Sequence, residues 1–493
     1  MRTFALLFVS LLALAGCATV ETTPTGVLGA PDCPASPFDQ PGLRILAPTD
    51  DPIDDEKGNA TVFETTNLRT CSLPAIGHTN LTASGPAHKY IGEIDMRGDL
   101  NLGAVAVLGN GEAPGFYILD ITERATPVVL SYTPQPGAYV TDIKFSDDGA
   151  VLYVASQQTP GPEFVDSLPT PVAFTGFTVY GLADPTAPTY LGTVVDLGFG
   201  CHMLDPVQVA VNQDAVMCVS QHLRSYLIQR DGPVILNFGF VDYIPTRDGV
   251  PAPVIPVVGD PTGLLPVAVA PHDMTAYHPS GSFGAGSALI VSHWTEGLKV
   301  LDISQAPLIT EIGSWNGEGA THYNGNVHTA MVLETSAGRY LIASPEYTSD
   351  GTIPGFWVLD ATDFGNLRLV AEWYHPGNHT SQGLYLTTHQ WQVAPSGTDV
   401  APEEVRLYFT YNHAGIWVLD FASILAGDNA GAILGYNLAR TPIPEDHVPN
   451  AILSTWDVNV VDGHIYGSDR ATGLWVFHYA GDTLGDERLT GFA

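Results

Sequence analysis

Lysine is nearly absent from this 493-residue chain. Only Lys57, Lys89, Lys144 and Lys299 occur, and with the arginines they make 18 basic residues against 52 Asp and Glu. A formal charge of −34 repels nucleic acid and anionic membrane surfaces, which excludes phosphate-backbone binding as the activity. After the N-terminus no stretch approaches the ~18 unbroken apolar residues of a transmembrane helix, and no long amphipathic helical pattern occurs. Also missing are the GxSxG elbow, the P-loop, HExxH and the EF-hand loop, so hydrolase and nucleotide chemistry lack their usual footholds. What is plentiful is Gly (51) and Pro (38) within a chain that is 45% hydrophobic and 14% charged, a balance that suits many short strands joined by turns.

The N-terminus reads as an export signal: Met1-Arg2 is positive, and Thr3 to Leu14 is apolar but short for a bilayer span. It ends in Leu14-Ala15-Gly16-Cys17, which resembles the lipobox of secreted lipoproteins. That resemblance implies cleavage after residue 16, lipid on Cys17, and a chain anchored to a membrane and facing the periplasm or cell exterior. Residues 17–70, rich in Pro, Thr and Asp and without strand periodicity, read as a tether. The remaining cysteines, Cys33, Cys71, Cys201 and Cys218, are even in number in an oxidising compartment. Three pairings are open, of which Cys33 with Cys71 and Cys201 with Cys218 close the shortest loops; free buried thiols are the alternative.

From there on one phrase recurs: Gly115-FYILDIT, Gly176-FTVYGLADPTAP, Ser225-YLIQRDGP, Gly297-LKVLDISQAP, Gly355-FWVLDAT, Gly415-IWVLDF and Gly473-LWVFHY. Successive starts are 61, 49, 72, 58, 60 and 58 residues apart, so one supersecondary unit is repeated seven times with insertions. Each phrase alternates apolar with other side chains at period two and opens on a turn residue, the pattern of a strand. Upstream lie a second strand (Leu152-YVAS, Ala288-LIVS, Tyr340-LIAS, Leu407-YFTY) and a third (Thr141-DIKFSDDG, His272-DMTAYHPSG, His389-QWQVAPSG, Thr455-WDVNVVDG). Thr189-YLGTV and Leu308-ITEIG supply a fourth downstream. Four antiparallel strands repeated seven times predict an all-β fold, a seven-bladed β-propeller over residues 71–493, with a solenoid as the alternative. Closure of the ring has two candidates: Lys89-YIGEI, read as a fourth strand, and the tail around Arg488-LTGFA.

The phrase resembles the LVIVD repeat of bacterial and archaeal surface proteins over roughly residues 90 to 480, best at Leu298-KVLDIS and Trp357-VLDAT. That resemblance implies a propeller and little about chemistry. In a blade, the start of the innermost strand and the end of the antiparallel second strand meet at one face near the axis. Starts carry His272, His328 and His389, with His202 just upstream of a weaker strand; ends carry His222, His293, Glu346, His413 and Asp469. Neutral imidazoles suit zinc, copper or iron, so His272, His293, His328, His389 and His413, with Glu346, are candidate metal ligands. His202, His222 and Asp469 are further funnel residues. Equally, a His repeated at a strand start can simply bond the neighbouring blade. Ser292-HWTEGLKVLDISQAP and Tyr411-NHAGIWVLDF look like the selenium-binding protein family, copper-dependent methanethiol oxidases on a seven-bladed propeller, although that family's vicinal cysteines are absent.

Two functions follow. One is a monomeric surface protein that binds a protein, glycan or small molecule through its loops and funnel. The other is a copper-like metal-dependent oxidoreductase acting on a small molecule at the funnel.

Overall fold

The computed structural model describes residues 70–481 except 80, 82–90, 109–113, 136–138, 158–174, 196–199, 220–222, 252–270, 294–295, 346–354, 375–387, 413–414, 438–454 and a few shorter gaps. Before residue 70 it describes only Arg44–Ala47 and Thr61–Glu64, which pair antiparallel inside the stretch read as a tether.

Seven four-stranded antiparallel sheets follow in chain order, and the fold is a seven-bladed β-propeller. Their first strands are Ile91–Arg97, Tyr139–Phe145, Met203–Ala210, Pro271–Tyr277, Thr329–Thr335, Thr388–Ala394 and Thr455–Val461 for blades 1 to 7. Each first strand lies against those of the two neighbouring blades, and the seventh lies against the first, so they form a closed inner ring. Among the described residues the only α-helix is Phe421–Leu425.

The recurring phrase is the third strand of each blade, as in Gly297–Gln305 and Gly415–Asp420. Its opening glycine has a steric cause. A Cβ on Gly297 would stand 2.1 Å from the Trp315 carbonyl oxygen of the outer strand, and one on Gly355 would stand 1.7 Å from that of Trp373. Its closing Asp ends the strand, because the carboxylate accepts the backbone N–H two residues on: Asp120 from Thr122 (2.8 Å), Asp302 from Ser304 (2.8 Å), Asp360 from Thr362 (3.0 Å). Between these ends alternate side chains face opposite neighbours. In blade 4, Leu298 and Val300 meet Leu341 and Trp357 of blade 5, while Leu289, Val291 and Leu301 meet Met203, Val207 and Val219 of blade 3. The core is thus a set of inter-blade layers.

The ring is closed from the N-terminal side, by a segment other than either expected. Ala75–Thr79 pairs with Gly473–Phe477 as the outer strand of blade 7. Just before it, Thr70 N–H donates to the Tyr436 carbonyl (2.9 Å) and Asn437 Nδ2 donates to the Leu73 carbonyl (2.7 Å), tying the same segment to blade 6. The segment Lys89-YIGEI, read above as a fourth strand, instead leads into the innermost strand of blade 1. Its apolar alternation fits either place; the buried Glu93 marks the inner one.

Candidate functional site

Five of the first strands carry a register break near their start, between Ile91 and Ile94, Val140 and Asp142, Pro271 and Asp273, Thr388 and Trp391, and Thr455 and Val458. Such a bulge re-aims side chains. Aligning the breaks gives two consecutive layers around the axis. The outer layer is Gly92, Thr141, His202, His272, His328, His389 and Trp456; the inner is Glu93, Asp142, Met203, Asp273, Thr329, Gln390 and Asp457.

In the outer layer, blades 3 to 7 form a continuous arc of rings. Centroids are 4.6 Å apart for His202–His272, 4.3 Å for His272–His328, 4.5 Å for His328–His389 and 3.8 Å for His389–Trp456. The far face of the Trp456 ring is covered by Arg470, whose guanidinium carbon stands 3.5 Å from the ring centroid. The arc runs from partly open to closed: His202 and His272 keep some exposure, while His328 (0%) and His389 (3%) are buried.

Hydrogen bonds set the tautomers at the two ends of the imidazole row. Gln157 Oε1 lies 3.0 Å from His202 Nδ1, so that nitrogen carries the proton and Nε2 is left as an acceptor. His202 Nε2 is 3.1 Å from His272 Nε2, and His272 supplies the proton between them. At the other end His389 Nδ1 donates to the Trp456 carbonyl at 2.8 Å. His272 and His328 each reach toward the backbone of the next blade, at His328 and His389, without a well-formed hydrogen bond there among the described residues. Burial keeps all four neutral: it lowers His202 to about 4, with Asp142 opposing. It also carries His272, His328 and His389 well below the ordinary imidazole value, helped by neighbouring imidazoles and, at His389, first by Arg470.

The inner layer is acidic and dry, every member being buried. Its carboxylates bind backbone. Asp142 accepts from Ile143 N–H (2.7 Å) and, across the blade boundary, Leu204 N–H (2.8 Å); Asp457 accepts from Val458 (2.6 Å) and Ile94 (2.8 Å) in the same way. Gln390 Nε2 reaches both Glu93 and Asp273 at 3.4 Å, joining blades 6, 1 and 4 across the channel. Glu93, raised well above an ordinary carboxyl by burial and then by Asp457, is the protonated member of a Glu93–Asp457 pair. Burial raises Asp273 to about 6.

One step further on, the same device repeats. Asp95 accepts from Phe145 N–H (2.7 Å), Asp205 from Ala276 (2.6 Å), Asn459 from Met96 (2.8 Å), and Gln392 from Val460, each in the following blade. Burial raises Asp205 to about 7. The cation here is Lys144, 3.3 Å from Asp142. Burial works against its charge, but Asp142, then Asp95 and Asp457, outweigh it and raise its pKa well above the ordinary value.

His202, His272, His328 and His389 are therefore brought together. His293 is buried at the end of the second strand of blade 4, outside the arc's ring contacts; neither ring nitrogen has a hydrogen-bond partner among the described residues, and burial followed by Lys299 lowers it to about 3. Asp469 serves its own turn, accepting from Thr472 N–H and Oγ1 at 2.8 Å each. Cys201 and Cys218 form a disulfide, with Cα atoms 5.6 Å apart, and Cys71 is also disulfide-bonded. Cys17, Cys33, His222, Glu346 and His413 lie outside the described residues. Among the described residues no three His, Cys, Asp or Glu converge on a common metal position.

The acidic layer, Gln157 and Arg470 are not legible in the sequence as mouth residues; Trp456, next to a strand start, is legible there as an aromatic that could wall a pocket. The trace was present in the pairs Thr141-Asp142, His272-Asp273 and Trp456-Asp457, in which a carboxylate follows the mouth residue immediately before an alternating strand.

No protein family profile matches the chain, and no curated protein matches it. Among solved structures it is similar to the β-propeller domain of Cps50 (Swd1) from Myceliophteria thermophila, at 12% identity over 81% of this chain and 99% of that one, with a TM-score of 0.47. Sqt1 from Chaetomium thermophilum matches at 13% identity over 84% and 87%, TM-score 0.44. The WD40 propeller domain of Doa1 matches at 10% over 79% and 92%, TM-score 0.43. Likenesses of this order say nothing about chemistry or partners.

Proposed function

We propose that this chain is an exported, lipid-anchored binding protein whose propeller presents a ligand cup at the histidine-lined mouth of its axis. The observation that carries the reading is the arc itself: five successive blades each place a ring at one mouth, and the buried layer behind it is bridged by Gln390, so the mouth is a cup with a floor. Concave sites lined by aromatic rings with a few polar atoms suit small ligands, or the tip of a glycan or protein chain. Anchoring through Cys17 would hold the cup at the membrane surface.

The experiment is native mass spectrometry of the protein purified from its own host without a His-tag. A discrete non-covalent adduct is expected on the wild type and not on a His272→Ala, His328→Ala variant. A bare wild type, or an adduct that persists in the variant, contradicts the reading.

A second reading, a metal-dependent oxidoreductase, is favoured by one distance. The Nε2 atoms of His202 and His272 are 3.1 Å apart, a separation that two nitrogens bound to one ion at ~2.0–2.1 Å can have. An ion there would replace the proton they now share, and Gln157 would orient the His202 ring from behind. The same spectrum decides: a copper, zinc or iron mass lost with His272 supports it, and an organic adduct supports the first reading.

The anchor has its own test. Cys17→Ser is expected to release the mature chain from membranes or leave it unprocessed, and unchanged fractionation and mass contradict it.

A further inference from the structure

We infer that the ligand of this cup carries an oxyanion, a carboxylate or a phosphate, and that Arg470 is the residue that holds it; the inference rests on the reading of the mouth as a ligand cup. Arg470 follows Asp469 at the end of the second strand of blade 7, the place that Gln157 takes after Ser156 in blade 2. Gln157 is spent on His202. Arg470 has no ion pair among the described residues, and its buried Nε has no hydrogen-bond partner there.

The contrast with the other arginines is what gives this weight. Arg97, Arg124, Arg230, Arg339, Arg368 and Arg406 each sit against a carboxylate. These six are paired in a chain with 52 acidic and 18 basic residues, and Arg470 is not among them. It is also pre-organised. Trp456 holds the plane from one side at 3.5 Å, and Trp456 is in turn held by His389, so the edge of the fork is fixed in direction. A fixed planar fork is what bidentate recognition of carboxylate or phosphate requires.

The acidic layer below is partly neutralised: burial and then Asp457 raise Glu93 well above an ordinary carboxyl, Asp142 pairs with Lys144, and burial raises Asp273 to about 6. The four imidazoles are neutral, so Arg470 is the charge a ligand meets at its end of the arc.

The test is calorimetric titration of the full chain with benzoate, phenyl phosphate and the neutral benzamide. At least one anion is expected to bind, with Arg470→Gln weakening it about tenfold or more, and benzamide is expected not to bind. Which anion binds more tightly tells carboxylate from phosphate. Arg470→Lys, which keeps the charge and loses the fork, should fall between wild type and Gln, and it carries the test if the Gln variant fails to fold. No binding of either anion to the wild type overturns the inference, as does equal binding by Arg470→Gln or by benzamide. If a native adduct is nonetheless present and depends on His272 and His328, the cup stands and only the oxyanion falls.

Discussion

The two layers at the mouth of the axis occupy adjacent residues of the same strands and solve different problems. In the inner layer Asp142 and Asp457 each grip a backbone N–H of the next blade, and Asp95, Asp205 and Asn459 repeat the grip one step further on. In the outer layer Thr141 Oγ1 donates to the Cys201 carbonyl (3.1 Å) and His389 Nδ1 to the Trp456 carbonyl (2.8 Å), both in the following blade, and His272 and His328 lean the same way on His328 and His389 without a well-formed bond; His202 is turned to Gln157 and His272. The carboxylates are explained by the ring they hold together, and the outer layer shares that grip at Thr141 and His389; the His202–His272 pair, held by Gln157, is what the grip does not explain.

Substitution should separate the layers most sharply. Asp142→Ala leaves two backbone N–H groups and Lys144 without their acceptor, and loss of one partner from a buried ion pair costs about 3–5 kcal/mol. His328→Ala removes a fully buried ring but no well-formed hydrogen bond, and is expected to cost less, about 2–3 kcal/mol. Urea unfolding midpoints check this, and a His328 variant as unstable as Asp142→Ala would erase the distinction.

A smaller effect has opposite sign in the two layers. Asp205 and Asp273, raised to about 7 and about 6 from the ordinary 3.8, bind protons more readily folded than unfolded. Their contribution to stability is present at low pH and is lost as pH rises through 6 to 7. His202, lowered to about 4 from 6.5, contributes stability that is present above 6.5 and lost as pH falls toward 4. Thermal unfolding from pH 4 to 8 should accordingly show Asp205→Asn with Asp273→Asn flattening the neutral-side decline. His202→Gln should flatten the acid-side one. Parallel shifts in both variants would contradict the assignment.

Much of the fold was legible because its cause is local. A glycine where a Cβ would strike a carbonyl, an apolar alternation and an Asp that caps the strand recur together, so Gly297-LKVLDIS announces a blade's third strand without any long-range information. Which segment closes the ring was not legible, since Ala75–Thr79 is chosen by contacts with Gly473–Phe477 and with Tyr436, hundreds of residues away. The imidazoles at His272, His328 and His389 stood out because histidine is uncommon. Asp142, Asp273 and Asp457 did not stand out in a chain with 52 acidic residues, where a carboxylate at a strand start reads as a solvated one. That Trp456 rather than Thr455 faces the mouth depends on the bulge between Thr455 and Val458, which sequence alone does not mark.

The central claim is that His202, His272, His328 and His389 form a neutral, preformed wall for a ligand. Nitrogen-detected NMR of the imidazole rings, followed from pH 8 down to about 5, tests it directly. The account predicts that all four remain neutral throughout, with His202 and His389 protonated on Nδ1 only; protonation of any of them near the ordinary 6.5, or exchange between tautomers at those two, would contradict it.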